Sequence, residues 1–218
     1  MAAHNWLILR LNRKHVERMA PLSKGALLDV GCGEKPYERL LGPYVDSYVG
    51  LEHPDTAHPR EGVDVWGSAD DLPFADDSFD TVVSFHVLEH TEDPARVLGE
   101  MARVLRPGGR LLLAVPFIWG VHEAPRDFYR FTPYGLAHLL GQAGFRDIDV
   151  TPLCGYWATA GLRLCYALER AARGPLRLPV GAVFAAIQLV AWGLDRIDPL
   201  DADAAGYSVS AVRPATSS

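Results

Sequence analysis

The sequence predicts a doubly wound α/β sandwich, a mostly parallel sheet with helices on both faces. Two observations carry this expectation. Short apolar runs of four to six residues, the size of buried strands, alternate with stretches at helical spacing from residue 26 to residue 150. Glycines and prolines punctuate the junctions between them. Right-handed crossovers between parallel strands put helices on both faces and any ligand crevice at the carboxyl ends of the strands.

Residues 4–20 set Trp6, Leu7, Leu9, Leu11 and Val16 among basic residues, the pattern of an amphipathic helix capping the domain. Ala26-Leu27-Leu28-Asp29-Val30 is the first strand. It breaks into Gly31-Cys32-Gly33, where backbone can closely approach a ligand. A helix is expected over 36–41, stopped near Gly42-Pro43. Residues 47–51 form a second strand, and Glu52 stands at its carboxyl end, 21 residues after Gly31. An acid at that spacing can accept hydrogen bonds from ribose hydroxyls. A short third strand, 63–66, leads into a loop, 67–80, that holds five aspartates. Among them, Asp70 can accept from an exocyclic amine such as adenine N6.

The fourth strand, 81–85, runs into His86-Val87-Leu88-Glu89-His90. On a helix, His86 and His90 would share a face. Two histidines without a third ligand do not make a metal site, and none is expected. Gly31 to Gly33, Glu52, Asp70 and His86 all fall at the carboxyl edge of the expected sheet. Asp93 and Pro94 open a helix whose Val97, Leu98, Met101, Val104 and Leu105 face the core, and Pro107-Gly108-Gly109 stops it. Residues 110–115 form the fifth strand, ended by Pro116. A loop over 117–131, rich in aromatics and charges, leaves the same edge. Thr132 and Pro133 cap a helix stopped by Gly144, and 145–150 is a sixth strand.

Past residue 150 the character changes. A helix is expected over 162–172, and 178–194 is apolar apart from Gln188. That segment is read as a packed or interfacial helix, a homodimer face or a peripheral membrane contact rather than a span. Residues 206–212 form a last strand and 214–218 a disordered tail. The expected division is a capping helix at 1–25, a core at 26–150, a helical insertion at 151–203 on the acceptor side or as an interaction segment, the last strand at 204–213, and the tail.

The formal net charge is −6 and the 21 Lys and Arg form no dense run, which argues against a nucleic-acid partner. Cys32, Cys154 and Cys165 form no CxxC pair, so neither a disulfide framework nor a zinc site is expected and a reducing compartment fits. The apolar run Trp6-Leu7-Ile8-Leu9 is too short for a secretory signal, and the cytoplasm is the expected location.

With these residues in place, the chain resembles a class I S-adenosylmethionine (SAM) dependent methyltransferase of the methyltransferase type 11 family. The matching stretches are LLDVGCG, the acid of GLEH, ADDLPFADDSFD, VVSFHVLEH and RVLRPGGRLLLAVP, and they cover about residues 26–150. The resemblance implies a Rossmann-like sandwich with a seven-stranded sheet, whose last strand, here 206–212, runs antiparallel beside the fifth. It implies SAM as cofactor, with Asp29 near the amino group and the turn Gly31, Cys32 and Gly33 against the methionine part. Glu52 would hold the ribose hydroxyls, Ala69 and Asp70 would face adenine, and His86 would lie near the methionine part and the methyl. Many members continue the turn as G-x-G-x-G, and here the third position is Lys35. The dinucleotide pattern G-x-G-x-x-G fails at Pro36, which counts against the rival reading of an NAD-dependent oxidoreductase. A SAM-binding partner or sensor without catalysis is the other rival.

The implied reaction moves a methyl group to a small-molecule or saccharide acceptor, at oxygen in preference to other atoms. The loop at 117–131 resembles that of a bacterial subgroup associated with modification of glycans or small metabolites. A hydroxyl acceptor needs a base. The candidates at the rim are His122 and His86, with Asp127 to orient an imidazole and Trp119, Tyr129 and Arg130 to hold substrate.

Overall fold

Ala26–Val30, the strand β1, is buried at four of its five positions because helices cover both faces of the sheet around it. The computed structural model describes residues 5–56, 59–172 and 180–215. The other strands are β2 (Ser47–Glu52), β3 (Val65–Trp66), β4 (Phe79–Phe85), β5 (Leu105–Pro116), β6 (Arg146–Pro152) and β7 (Gly206–Val212). They form one seven-stranded sheet in the order β3-β2-β1-β4-β5-β7-β6. The strands β1 to β5 pair in parallel. As the family resemblance implied, β7 runs antiparallel beside β5, with Val209 opposite Leu113. Its other edge pairs antiparallel with β6.

The period of two in the apolar runs explains the double winding. Leu28, Val82 and Leu111 point to one face, where they meet Val97, Leu98 and Met101 of α3 (Pro94–Val104) and Leu136 and Leu140 of α4 (Pro133–Gln142). Their neighbours Leu27, Val83 and Leu112 point to the other face. There they meet Val16 and Met19 of α1 (Trp6–Met19) and Leu41 of α2 (Glu38–Leu41). The expected caps are present: Asp93 accepts from the Arg96 amide and Thr132 from the Gly135 amide.

Several boundaries move. The strand β5 begins at Leu105 rather than 110, because Leu105 pairs with Phe79 and pulls the Pro107-Gly108-Gly109 stop into the ladder as an irregularity. The same pairing starts β4 at Phe79 rather than 81. The helix expected over 162–172 starts earlier, as α5 (Tyr156–Ala172). The apolar segment 178–194 is seen from residue 180, in α6 (Val180–Ile197), while 178 and 179 lie outside the described residues. Of the tail, 216–218 also lie outside them.

No helix among the described residues is long and apolar enough to cross a membrane. Instead α6 packs on α5, so closely that a Cβ at Gly161 would sit 2.5 Å from the Ala191 methyl. Gln188, the polar break in the apolar segment, is fully buried. Its Oε1 accepts from the Leu7 amide at 2.8 Å, and its Nε2 donates to the Phe184 carbonyl at 3.1 Å. The Leu7 amide lies in the first turn of α1, where no intrahelical acceptor exists. Replacing Gln188 by Leu would therefore strand a buried donor, at a cost of about 1–3 kcal/mol. The expected outcome is a thermal midpoint roughly 2–10 °C lower by calorimetry; an unchanged midpoint would refute the anchoring role.

Candidate functional site

Parallel strands deliver the ends of β1, β2 and β4 to one edge, and the candidate residues gather there. Gly31 follows β1 with φ +73°, and a Cβ on it would lie 2.3 Å from Val87 Cγ2. Only glycine lets this turn pack against the segment that leaves β4. The amides of Gly31 and Cys32 both donate to the Leu51 carbonyl, at 2.8 and 3.0 Å. The Gly33 amide donates to Glu52 Oε2 at 2.8 Å, and Glu52 Oε1 accepts from the His53 amide at 2.9 Å. Glu52 is thus buried and fixes the turn to the end of β2, with lone pairs left for further donors. A Cβ on Gly33 would meet nothing within 4 Å, so the turn opens on free space.

Asp29 is buried within β1 and accepts a hydrogen bond from the Tyr48 hydroxyl. Burial pushes its carboxyl up to about 7 against the opposing effect of that bond. Lys35 acts on it without pairing with it, and a ligand ammonium would supply a cation in direct contact. The Cys32 thiol is pushed up to about 12, chiefly by burial, which leaves it unreactive. Lys35, at the position where glycine was expected, takes the left-handed conformation with φ +51°. Its ammonium pairs with Asp64 and lies 5.7 Å over the Tyr48 ring, contacts that offset the backbone cost. Ala69 and Asp70 are half-buried on the loop after β3; Asp70 accepts from the Ser68 hydroxyl, and its carbonyl accepts from Arg96 Nε at 2.8 Å. A buried carboxyl that pairs with no cation among the described residues, an open glycine turn and an acid anchored at the second strand together fit a nucleoside bearing an amino acid.

The second half of the site lies where β4 ends. His86 has φ +60°, and its amide donates to the Ala114 carbonyl at 2.8 Å. Burial pushes its imidazole down to about 4, so it is neutral at pH 7. A single 3₁₀ turn, Leu88–His90, follows, so His86 and His90 do not share a helix face as the four-residue spacing would allow. Between them lies Glu89, which the sequence reading passed over. It is 0% exposed, and among the described residues no other residue hydrogen-bonds to either of its carboxyl oxygens. Burial pushes it up to about 8. Its Oε1 is 3.8 Å from His86 Nδ1, 3.8 Å from His90 Nε2 and 3.9 Å from His122 Nε2.

The loop 117–131 is clamped onto this turn. The Phe128 and Tyr129 amides donate to the Glu89 carbonyl at 2.9 and 3.2 Å, and the Tyr129 hydroxyl donates to the Glu92 carbonyl at 2.9 Å. Asp127 accepts from the His122 amide at 2.9 Å and from Arg130 twice at 2.7 Å. The Arg130 bonds hold its carboxyl well below the usual carboxylate range. Asp127 therefore positions His122 through the backbone more than through the ring, which stands 3.5 Å away. The Arg130 guanidinium is occupied by Asp127 and by the Gly120 carbonyl, so the loop itself takes up the residue expected to hold substrate. Trp119 packs edge-on against Tyr166 of α5, with ring centres 5.3 Å apart.

The sequence model of a family described as a methyltransferase domain matches residues 28–113. An O-methyltransferase of Penicillium expansum is 33% identical over 186 residues, covering 71% of this chain and 67% of its own length. An O-methyltransferase of Aspergillus nomiae is 30% identical over 167 residues, covering 66% of this chain and 74% of its own. The chain spans about half the length of several mycobacterial relatives described only as methyltransferases. Among solved structures, a SAM-dependent methyltransferase of Mesorhizobium loti has the same fold, with a TM-score of 0.60, 20% identity, and coverage of 97% of this chain and 98% of that one.

Proposed function

Because the chain belongs to the SAM-dependent methyltransferases, we propose that its acceptor is a hydroxyl oxygen of a small molecule or saccharide and that His122 activates that hydroxyl. The observation that carries this reading is the meeting of two half-sites at one sheet edge. The glycine turn touches Val87, so the residues suited to the donor adjoin the turn that bears His86 and Glu89 and faces His122. Bound SAM supplies a methyl group on a sulfonium, a good leaving group, so the protein's contribution is mainly orientation.

In this reading Asp29 takes the ligand's ammonium, Glu52 accepts from the ribose hydroxyls, and Ala69 and Asp70 border the adenine. Asp127 and Arg130 are positioning residues that hold the loop carrying His122. The similarity to two fungal O-methyltransferases favours oxygen over nitrogen or carbon. Incubation with labelled SAM and a metabolite extract, followed by mass spectrometry, should yield an O-methylated product; transfer to nitrogen alone would overturn the assignment.

Three further outcomes are expected. Glu52→Ala should weaken binding of S-adenosylhomocysteine by about 1–3 kcal/mol, read by calorimetry. Asp29, held near 7 by burial, is protonated in acid and must lose that proton to pair with an ammonium. Affinity should therefore fall as pH drops from 7 to 5.5, by up to about tenfold per unit, and Asp29→Asn should flatten the profile. With the acceptor in hand, His122→Ala should lower turnover about 10²–10⁴-fold while leaving homocysteine-ligand affinity nearly unchanged. The reverse pattern would move His122 out of the reaction.

A further inference from the structure

Glu89, His90 and His122 each offer one ligand atom, and these atoms all lie within 4.8 Å of one another. The sequence offered only two histidines here; folding adds a carboxylate and a third imidazole. From this convergence we propose that Glu89, His90 and His122 bind a divalent transition-metal cation beside the methyl acceptor.

Three features support the site. The first is the state of the carboxyl: Glu89 is completely buried, and among the described residues no other residue hydrogen-bonds to either of its oxygens. Buried polar groups are almost always satisfied, so this one calls for an occupant. The second is the set of separations. Oε1 stands 3.8 Å from His90 Nε2 and 3.9 Å from His122 Nε2. These are too long for hydrogen bonds. Two ligands bound at metal distance sit roughly 3.3–3.6 Å apart on a tetrahedral ion, so Glu89 would close on each imidazole by a few tenths of an ångström, and the three atoms, spread within 4.8 Å, would draw together by up to about 1.5 Å.

The third is the orientation of the rings. His90 Nδ1 pairs with the Arg126 carbonyl, and His122 Nδ1 lies 3.2 Å from the Gly120 carbonyl. A carbonyl only accepts, so His90 Nδ1 carries the proton and leaves Nε2 with its lone pair, whereas His122 Nδ1 also lies 3.3 Å from Arg130 Nη2, which only donates. Outer hydrogen bonds of this kind orient metal-binding histidines. The side chains of His90 and His122 are 16% and 30% exposed, which leaves an entry path from the rim. His86 Nδ1 lies 3.8 Å from the same Glu89 Oε1.

Two imidazoles and one carboxylate suit zinc, iron, manganese or cobalt better than calcium. Three protein ligands leave a coordination position open. In that position an acceptor oxygen would be polarised by the cation, so that His122 would activate the hydroxyl through the metal it holds. This role rests on the methyltransferase reading above; the cation site itself does not.

The test uses tag-free protein stripped with a chelator and dialysed. Titration with Zn²⁺ by calorimetry and with Co²⁺ by visible absorption should each give one equivalent per chain. Glu89→Gln and His122→Ala should each lower Zn²⁺ affinity at least about tenfold. His138→Ala, at an exposed position on α4, should not. The affinity for S-adenosylhomocysteine, measured on the same samples, reports folding and the cofactor reading separately. Absence of a one-equivalent transition, or equal affinity in both variants while homocysteine-ligand binding persists, would overturn the metal site alone. Metal binding without any binding of that ligand would support the site and sink the cofactor reading instead.

Discussion

Everything at the candidate site depends on β1 pairing in parallel with both β2 and β4. Parallel neighbours must send their carboxyl ends to one side, so three chain reversals crowd a single edge. Each is tight in its own way: Gly31 at φ +73°, the buried Glu52 holding the Gly33 amide, and His86 at φ +60°. Strain at such positions persists where surrounding contacts over-determine the backbone. Here those contacts are the Leu51 and Ala114 carbonyls, which accept the amides of Gly31, Cys32 and His86.

The loop 117–131 is held both by apolar burial, with Phe131 in the core and Phe117 and Trp119 packed against buried clusters, and by polar contacts between these anchors. Its amides reach several carbonyls, Phe117 that of Ala205, Ile118 that of Ala204, and Phe128 and Tyr129 that of Glu89, and its interior is closed by the Asp127–Arg130 pair. The residue whose side chain lies among the imidazoles is therefore also the residue whose main chain docks the loop bearing one of them. A disturbance of the Leu88–His90 turn would move His122 as well, which couples the acceptor edge to the core strand β4.

Much of this was legible in the residues. The strands β1, β2 and β4 were visible because short apolar runs there are bounded by glycines and turn residues, and α3 because Asp93 and Pro94 announce it. The boundary at Leu105 was not, because its pairing with Phe79 is a tertiary event that local pattern cannot register. Glu89 escaped for a similar reason. An acid between Leu88 and His90 looks like a solvated turn residue until the later loop covers it. Arg130 and Trp119 read as substrate contacts because aromatic and basic side chains on a rim loop look available in sequence; folding also engages them with Asp127 and Tyr166. The left-handed Lys35 shows the opposite case. The expected glycine pattern located a conformational demand, and the chain meets it with a different residue held by Asp64 and Tyr48.

The insertion of β7 between β5 and β6 has a kinetic meaning. During synthesis β6 emerges before α5 and α6, yet its only partner in the sheet is β7, made after both. At a synthesis rate of about 5–20 residues per second, the ribosome holds a sheet with one unclaimed strand for several seconds. Until β7 arrives, β5 also keeps a bare hydrogen-bonding edge, and bare edges are where nascent chains pair wrongly with one another. The last strand therefore acts as a closing seam, and the success of folding in the cell turns on how well that unpaired pair of edges is shielded in the interval.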